Sequence, residues 1–245
     1  MATVIQQATS RKKDHHGSGT VRSTGRRDRR RSNIGRGIVH AYAAEGARIV
    51  LNDIDEPQAK KVRDEALDLG AEAVELAIND LTTPRGGAED TIGLAVTTWG
   101  GVDVVVNNAG WSVPGFVATD TDRDKWQRTI EVNFYSAVAT TQAAIGPMKN
   151  DGGGALVFIA SDAAFGQIRQ GIYGASKAAM VAFARTTARE HGRHGIRSNI
   201  VCPGLVMPES ADAVGASSLW AVGEDEVFNP QPDRVHAQGH PRCAG

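Results

Sequence analysis

An open, doubly wound α/β sheet in a single domain is the fold this sequence predicts. Short apolar runs rich in Val and Ile alternate with longer helical patterns, and glycines stand where those helices should stop. Strands alternating with helices of this length imply right-handed βαβ units and a parallel sheet. Composition agrees. The 245 residues, 41% hydrophobic and 22% charged, suffice for a sizeable core and argue against wholesale disorder.

The apolar runs at 48–51, 74–78, 102–106, 156–159 and 199–202 read as buried strands. Between them, Ile34, Ile38, Val39 and Tyr42 share one helix face, and Gly46 is placed to end that helix. A second helix is expected over 57–69, opened by Pro57 and closed by Gly70. Further helices are expected over 82–99, 122–149 and 173–191. From Ser210 onward the periodicity weakens. The chain therefore divides into a basic amino-terminal segment (1–32), the α/β domain (33–209) and an atypical tail (210–245).

No apolar run approaches the 18 residues of a membrane span. The first residues lack the apolar stretch of a secretory signal. Cys202 and Cys243 are too few for a disulfide framework or a four-thiolate zinc site. A soluble, cytoplasmic protein without a metal centre is the expectation. The net charge of −1 conceals an asymmetry, because residues 1–32 carry nine Lys or Arg against Asp14 and Asp28. That arm has no interleaved aromatics for base stacking and no helical apolar stripe, so no specific nucleic-acid or membrane partner is expected.

Tyr173 and Lys177 stand four residues apart in Tyr-Gly-Ala-Ser-Lys, which puts both side chains on one helix face. A phenol with a reference pKa of about 10 is a poor base at neutral pH, and a neighbouring ammonium favours the phenolate. Asn107-Asn108-Ala109-Gly110, Ser161 and Pro203-Gly204 each follow directly on a predicted strand, and Asn133 lies within a predicted helix in Glu-Val-Asn-Phe. Taken singly, these read as a turn, a helix cap and a helix stop. Taken together, they gather polar chemistry at the carboxyl edge of one sheet, where open α/β sheets bind ligands.

In this order, these motifs resemble the short-chain dehydrogenase/reductase family over about 70% of the chain, from Asn33 to Met207. The resemblance implies a Rossmann-type domain that passes hydride between a nicotinamide cofactor and a secondary alcohol or ketone. Tyr173 would be the general acid/base, and Lys177 would lower its pKa and hold the cofactor ribose. Ser161 would hydrogen-bond the substrate oxygen, and Asn133 would position a water in a proton relay. Asn33, Ile34, Gly35, Asn107, Ala109, Gly110, Pro203, Gly204 and Val206 would join Tyr173 and Lys177 around the cofactor. Asp80 matches the family's adenine-contacting Asp. Asn-Asn-Ala-Gly-Trp and Ile-Ala-Ser-Asp-Ala look similar to enzymes of hydroxyacyl-CoA or cyclic hydroxy acids, with 3-oxoacyl carrier protein reductases a close rival. The family also implies a homodimer or homotetramer built on helices 122–149 and 173–191, where Ala178, Ala179, Val181, Ala182 and Ala184 offer a small-residue surface.

Cofactor choice has a physical basis. Asp53 lies at the end of the strand that begins at Arg48, and a carboxylate there accepts from the adenosine ribose and repels a 2′-phosphate. NAD is expected over NADP. Asp55, past the strand end, is the weaker candidate.

The chain departs from the family at both ends. The glycine-rich phosphate turn keeps Gly35, but Asn33 and Arg29 stand where its other glycines belong. The strand before it is replaced by Arg-Arg-Asp-Arg-Arg-Arg at Arg26 to Arg31, which cannot be a central strand. Codons CGT CGC GAT CGT CGC CGG for those residues, read one base later, give Val-Ala-Ile-Val-Ala-Gly, so an out-of-frame segment is one explanation. Without a first strand, the strands at 48–51 and 74–78 lose their link to 102–106, and each unpaired buried backbone group costs about 1–3 kcal/mol. Near the other end, Pro208 replaces a Thr that often contacts the nicotinamide amide. Nothing after Asn229 resembles a last strand. A catalytically impaired or non-catalytic relative is therefore the alternative reading.

Overall fold

The Val- and Ile-rich runs become strands and the helical patterns become helices in the alternation the sequence predicts. The computed structural model describes residues 3–7, as backbone, and residues 34–83 and 86–206. Six strands make one sheet: β1 (Thr3–Gln7), β2 (Arg48–Asp53), β3 (Ala73–Ile78), β4 (Val104–Asn107), β5 (Gly154–Ile159) and β6 (Ile196–Val201). The helices are α1 (Ile34–Ala44), α2 (Glu56–Asp68), α3 (Gly87–Trp99), α4 (Arg123–Ile130), α5 (Ser136–Asn150) and α6 (Gly171–His191). The strand order is β3-β2-β1-β4-β5-β6. Asn33, the basic arm from Arg11 to Arg31, Met207, Pro208 and the tail from 210 lie outside the described residues.

The sheet is not wholly parallel, which corrects the sequence reading. Five strands run parallel, but β1 enters the central position antiparallel to both neighbours, with Ile5 opposite Val50 on one side and Val105 on the other. The position the sequence analysis left empty is thus occupied by Thr-Val-Ile-Gln-Gln, whose β-branched residues suit a strand. β2 and β3 are thereby joined to β4, β5 and β6 through continuous backbone pairing.

Alternation along the strands sorts side chains into two cores. Ile49, Leu51, Val106 and Ile159 face α1 and α2, where they meet Val39, Ala43, Ala59, Val62 and Ala66. Val50, Val105, Leu156 and Phe158 face the other way, toward α3, α5 and α6, against Ile92, Ala144, Met148 and Met180. Helices on both faces make the sheet doubly wound. Gly46, at φ +72°, ends α1 as expected. Asp55 caps α2 by accepting from the Gln58 N–H at 3.0 Å. α1 and α2 are tied by the Arg36 guanidinium, which grips the Glu65 carboxylate through two bonds of 2.6 Å, with His40 Nε2 2.9 Å from the same carboxylate.

Several further boundaries differ from the sequence reading, three of them near the site. α3 begins at Gly87 rather than residue 82, because Asp80 and Thr82 form a side-chain-bonded turn instead. β6 starts earlier and stops before Cys202, pairing residue by residue with β5 from Gly154↔Ile196 to Ile159↔Val201. The long helix expected over 122–149 is present, but a π-helical turn, Glu131–Tyr135, separates α4 from α5. Phe158 on β5 packs edge-on to Phe183 on α6, which packs edge-on to Phe134 in the π turn, at 6.0 and 5.9 Å between centroids. On α6, Ala178 and Ala182 are exposed as expected, whereas Ala184 is buried in the core.

A proline at Ile5 would have no N–H to give the central ladder. Ile5→Pro is expected to lower stability by about 1–3 kcal/mol, read as a shift of the urea unfolding midpoint. An unchanged midpoint would show that the chain does not depend on β1 at its centre.

Candidate active site

The carboxyl ends of β4, β5 and β6 and the first turns of α6 bring the sequence-predicted residues together. Lys177 is buried on α6, and its Nζ donates to the Ile159 carbonyl at the end of β5 at 2.9 Å. Burial pulls its pKa down from 10.5 to about 8, the Cys202 thiol acting weakly in the opposite direction. One turn earlier, the Tyr173 ring lies with its centroid 5.6 Å from that Nζ. Burial pushes the phenol above its ordinary value, and the Ser161 hydroxyl facing it pulls it partly back. The expected lowering of Tyr173 by Lys177 is therefore not met here. Desolvation dominates, and the ammonium spends a proton on Ile159.

Ser161 serves two purposes. Its hydroxyl oxygen accepts from the Ala163 N–H at 3.1 Å, capping a 3₁₀ turn (Asp162–Phe165), and the same hydroxyl faces Tyr173. The turn is pinned from both sides. The Asp162 N–H donates to the Pro203 carbonyl at 3.0 Å, and a Cβ on Gly174 would stand 2.5 Å from the Ala163 carbonyl oxygen. Only a glycine beside Tyr173 lets α6 come so close to the loop bearing Ser161.

Asn133 is fully buried in the π turn, and its amide is bonded through both Nδ2 and Oδ1. Nδ2 donates to the carbonyls of Trp111 (2.6 Å) and Thr129 (2.8 Å), and Oδ1 accepts from the Trp111 N–H (3.1 Å). The side chain thus clamps the segment after Asn107-Asn108-Ala109-Gly110. Gly110 lies against this clamp: a Cβ there would be 3.0 Å from Asn133 Oδ1 and 3.5 Å from Lys177 Nζ. Asn107, buried at the end of β4, donates to the Thr141 hydroxyl of α5 at 3.3 Å, and its Oδ1 has no hydrogen-bond partner among the described residues.

A cavity of about 250 Å³ opens beside this cluster, between the ends of β2, β3 and β4 and helix α4. Asn52, Asp80, Thr82, Ala109, Gly110 and Arg128 line it. Burial alone would raise the Asp80 carboxyl, but bonds from the Thr82 hydroxyl and N–H and from Arg128 hold it below the usual range. Asp53 is buried at the end of β2 and accepts from the Asp55 N–H at 3.1 Å. Asp55 caps α2, so Asp53 is the carboxylate within the end of β2 itself. Gly35 is buried and Ile34 half-buried at the start of α1. Trp111 closes the Asn-Asn-Ala-Gly-Trp motif, whereas Arg128 and Thr82 have no sequence signal. Only the pairing of α4 with the turn after β3 reveals Arg128. The bare glycine surface at Gly110, the apolar-walled cavity and the carboxylate at the β2 end fit a dinucleotide lying along this edge.

A family model described as enoyl-(acyl carrier protein) reductase matches residues 29–227. The chain belongs to the short-chain dehydrogenase/reductase family. Among relatives of this short-chain dehydrogenase/reductase, a 3-alpha-(or 20-beta)-hydroxysteroid dehydrogenase of Mycobacterium bovis is 37% identical over 184 residues, covering 74% of this chain and 68% of that protein. A D-beta-hydroxybutyrate dehydrogenase of Rhizobium meliloti is 34% identical over 180 residues, covering 72% and 68%. The solved structure of an NAD⁺-bound xylitol dehydrogenase superposes with a TM-score of 0.67 at 28% identity, over 70% of this chain and 65% of that one. The protein is thus an oxidoreductase of this family. No helix among the described residues is long and apolar enough to cross a membrane.

Gly174→Ala is expected to cost about 1–3 kcal/mol and to displace the Ser161 turn. A thermal melt reads the first effect and turnover the second, and an unaltered melt and turnover would rule out the close approach.

The buried lysine gives a pH-dependent signature. With a folded pKa of about 8 against 10.5, the unfolded chain holds the proton more tightly. Burying the ammonium therefore costs stability in full below pH 8, and the cost falls away as pH rises toward 10.5. Lys177→Met removes the titrating group. Its melting temperature relative to the parent is expected to decline steadily between those pH values, and a pH-independent difference would contradict the assignment.

Proposed function

We propose that this protein is an NAD-linked dehydrogenase that interconverts a secondary alcohol and a ketone of hydroxyacyl or hydroxy-acid type. The Tyr173 phenol facing the Ser161 hydroxyl, above the buried Lys177 ammonium, carries the reading. NAD, when bound along the carboxyl edge, supplies or accepts hydride at its nicotinamide ring. Lys177, Gly110, Ala109, Pro203, Gly204 and Val206 would hold its nicotinamide end, and Asp53, Asp80, Ile34 and Gly35 the adenosine and phosphate end.

The chain's own groups handle the proton. Ser161 donates to the substrate oxygen and fixes the carbonyl or carbinol beside Tyr173. In reduction, Tyr173 gives its phenolic proton to the oxygen as hydride reaches the carbon. In oxidation, the phenolate takes the hydroxyl proton as hydride leaves. A phenol is protonated at neutral pH, and burial raises this one further, so reduction finds the proton in place there. Oxidation should accelerate as pH rises and the phenolate fraction grows.

Tyr173→Phe preserves the ring but removes the proton. It is expected to cut turnover by about 10²–10⁴-fold while NADH binding, followed by fluorescence, stays nearly unchanged. Activity within a few-fold of the parent would overturn Tyr173 as acid/base. Failure of the parent chain to bind NADH below millimolar would favour the non-catalytic alternative, toward which Arg29 and Asn33 in place of glycines point. The outward stripe of Ala175, Ala178 and Ala182 on α6 supports a homodimer or homotetramer packed on this helix. Light scattering is expected to give that mass, and a folded monomer at micromolar concentration would refute it.

A further inference from the structure

Arg169 is the one non-glycine residue among those described with a left-handed backbone, at φ +63°. An arginine adopts this conformation only when its surroundings impose it. Here they do. The Gly115 N–H donates to the Arg169 carbonyl at 2.9 Å, Gly115 bridges Gln170, and the Ser112 hydroxyl donates to Gln170 Oε1 at 2.7 Å. The loop after the Asn133 clamp is thus stitched to the segment entering α6, and the kink at 169 throws the guanidinium over the Phe116 ring at 5.3 Å.

That guanidinium lines the same cleft as Tyr173, together with Val113, Gly115, Trp126 and Gly171. Its Nε is buried and has no acceptor. The acid nearest in that cleft, Asp120, is taken by Lys125 in an ion pair, so no carboxylate among the described residues pairs with Arg169. Arg169 as a whole is half-exposed, and among the described residues no hydrogen bond or ion pair engages its terminal nitrogens. It is these outer N–H groups, not the enclosed Nε, that an incoming acceptor can reach, and a guanidinium is suited to a planar, two-oxygen anion. The apolar side chains of Val113, Phe116 and Val117 stand exposed on the same loop.

From this we infer that Arg169 is a specificity-determining residue: it binds the carboxylate of a hydroxy or oxo acid whose apolar chain lies on Val113, Phe116 and Val117. The inference deepens the dehydrogenase reading by naming its substrate class, a free acid rather than a neutral alcohol or a thioester.

Its test does not require turnover. Hexanoate and hexanamide, a charged and a neutral probe of one shape, are titrated calorimetrically against the full chain with and without NADH. Hexanoate is expected to bind at least about tenfold more tightly than hexanamide. Arg169→Gly, which accepts φ +63° without strain and so keeps the loop, should bring that ratio close to one, and Arg169→Lys should retain part of it. In turnover, the preference for 3-hydroxybutyrate over its methyl ester should collapse in Arg169→Gly through KM rather than kcat. Equal binding of the two probes by the parent, or a preference that survives in Arg169→Gly, overturns the inference. So does a preference for 3-hydroxybutyryl-CoA over the free acid. Loss of NADH binding or of the Tyr173 effect would instead refute the dehydrogenase reading and leave the hexanoate result to stand alone.

Discussion

The side-chain amide of Asn133 is the contact on which the site depends. It is fully enclosed, and each of its three hydrogen bonds runs to backbone: two to Trp111 and one to Thr129. A buried amide with unmet bonds is costly, so the helix and the loop cannot separate without paying for all three at once. The clamp holds the loop after β4 against the π turn and presses Gly110 toward Lys177. From the same loop, Ser112 and Gly115 reach across to the segment entering α6. One asparagine thereby sets the spacing between the cofactor edge, the lysine and the wall beside Tyr173. The π turn fits this role, since such insertions mark positions where a helix departs from regular geometry for functional reasons.

A second dependence lies in the sheet. β2 and β3 carry the acidic end of the site, and β4, β5 and β6 carry the polar groups around Tyr173. Only β1 hydrogen-bonds to both halves. Its antiparallel course meets the same backbone demand that a parallel strand would meet. The interior of the sheet asks first for paired N–H and C=O groups and only then for direction.

Much of this was legible in the sequence. Periodicity placed the strands after the first and all the helices to within a few residues, because Val- and Ile-rich runs and glycine stops report burial and chain reversal directly. Ser161 is legible from a strand end and the Tyr173–Lys177 pair from helical spacing, whereas Asn133 joins them only through the resemblance to the family's motif order. What escaped was set by tertiary packing. β1 escaped because five residues ending in Gln-Gln carry little apolar signal, and its direction is fixed only by its neighbours. The raised Tyr173 pKa escaped because burial outweighs a nearby ammonium, a balance that spacing does not report. A strand end says where Asn107 sits and not which way it turns, so its bond to Thr141 on α5 has no sequence signal. Arg128 and Arg169 had no sequence signature, since each gains its meaning from a partner far along the chain.

The direction of β1 also decides how the protein can be handled. Because Thr3 pairs with Asn52 and Val4 with Val106, the strand starts at the edge where the cavity opens, and Asn52 lines that cavity. A peptide fused at the amino terminus is therefore joined to the sheet at Thr3, on the edge where this cavity lies, and an affinity tag or reporter there would compete for space with a ligand of the cavity. The same placement makes a fluorophore or crosslinker on β1 a reporter of that cavity.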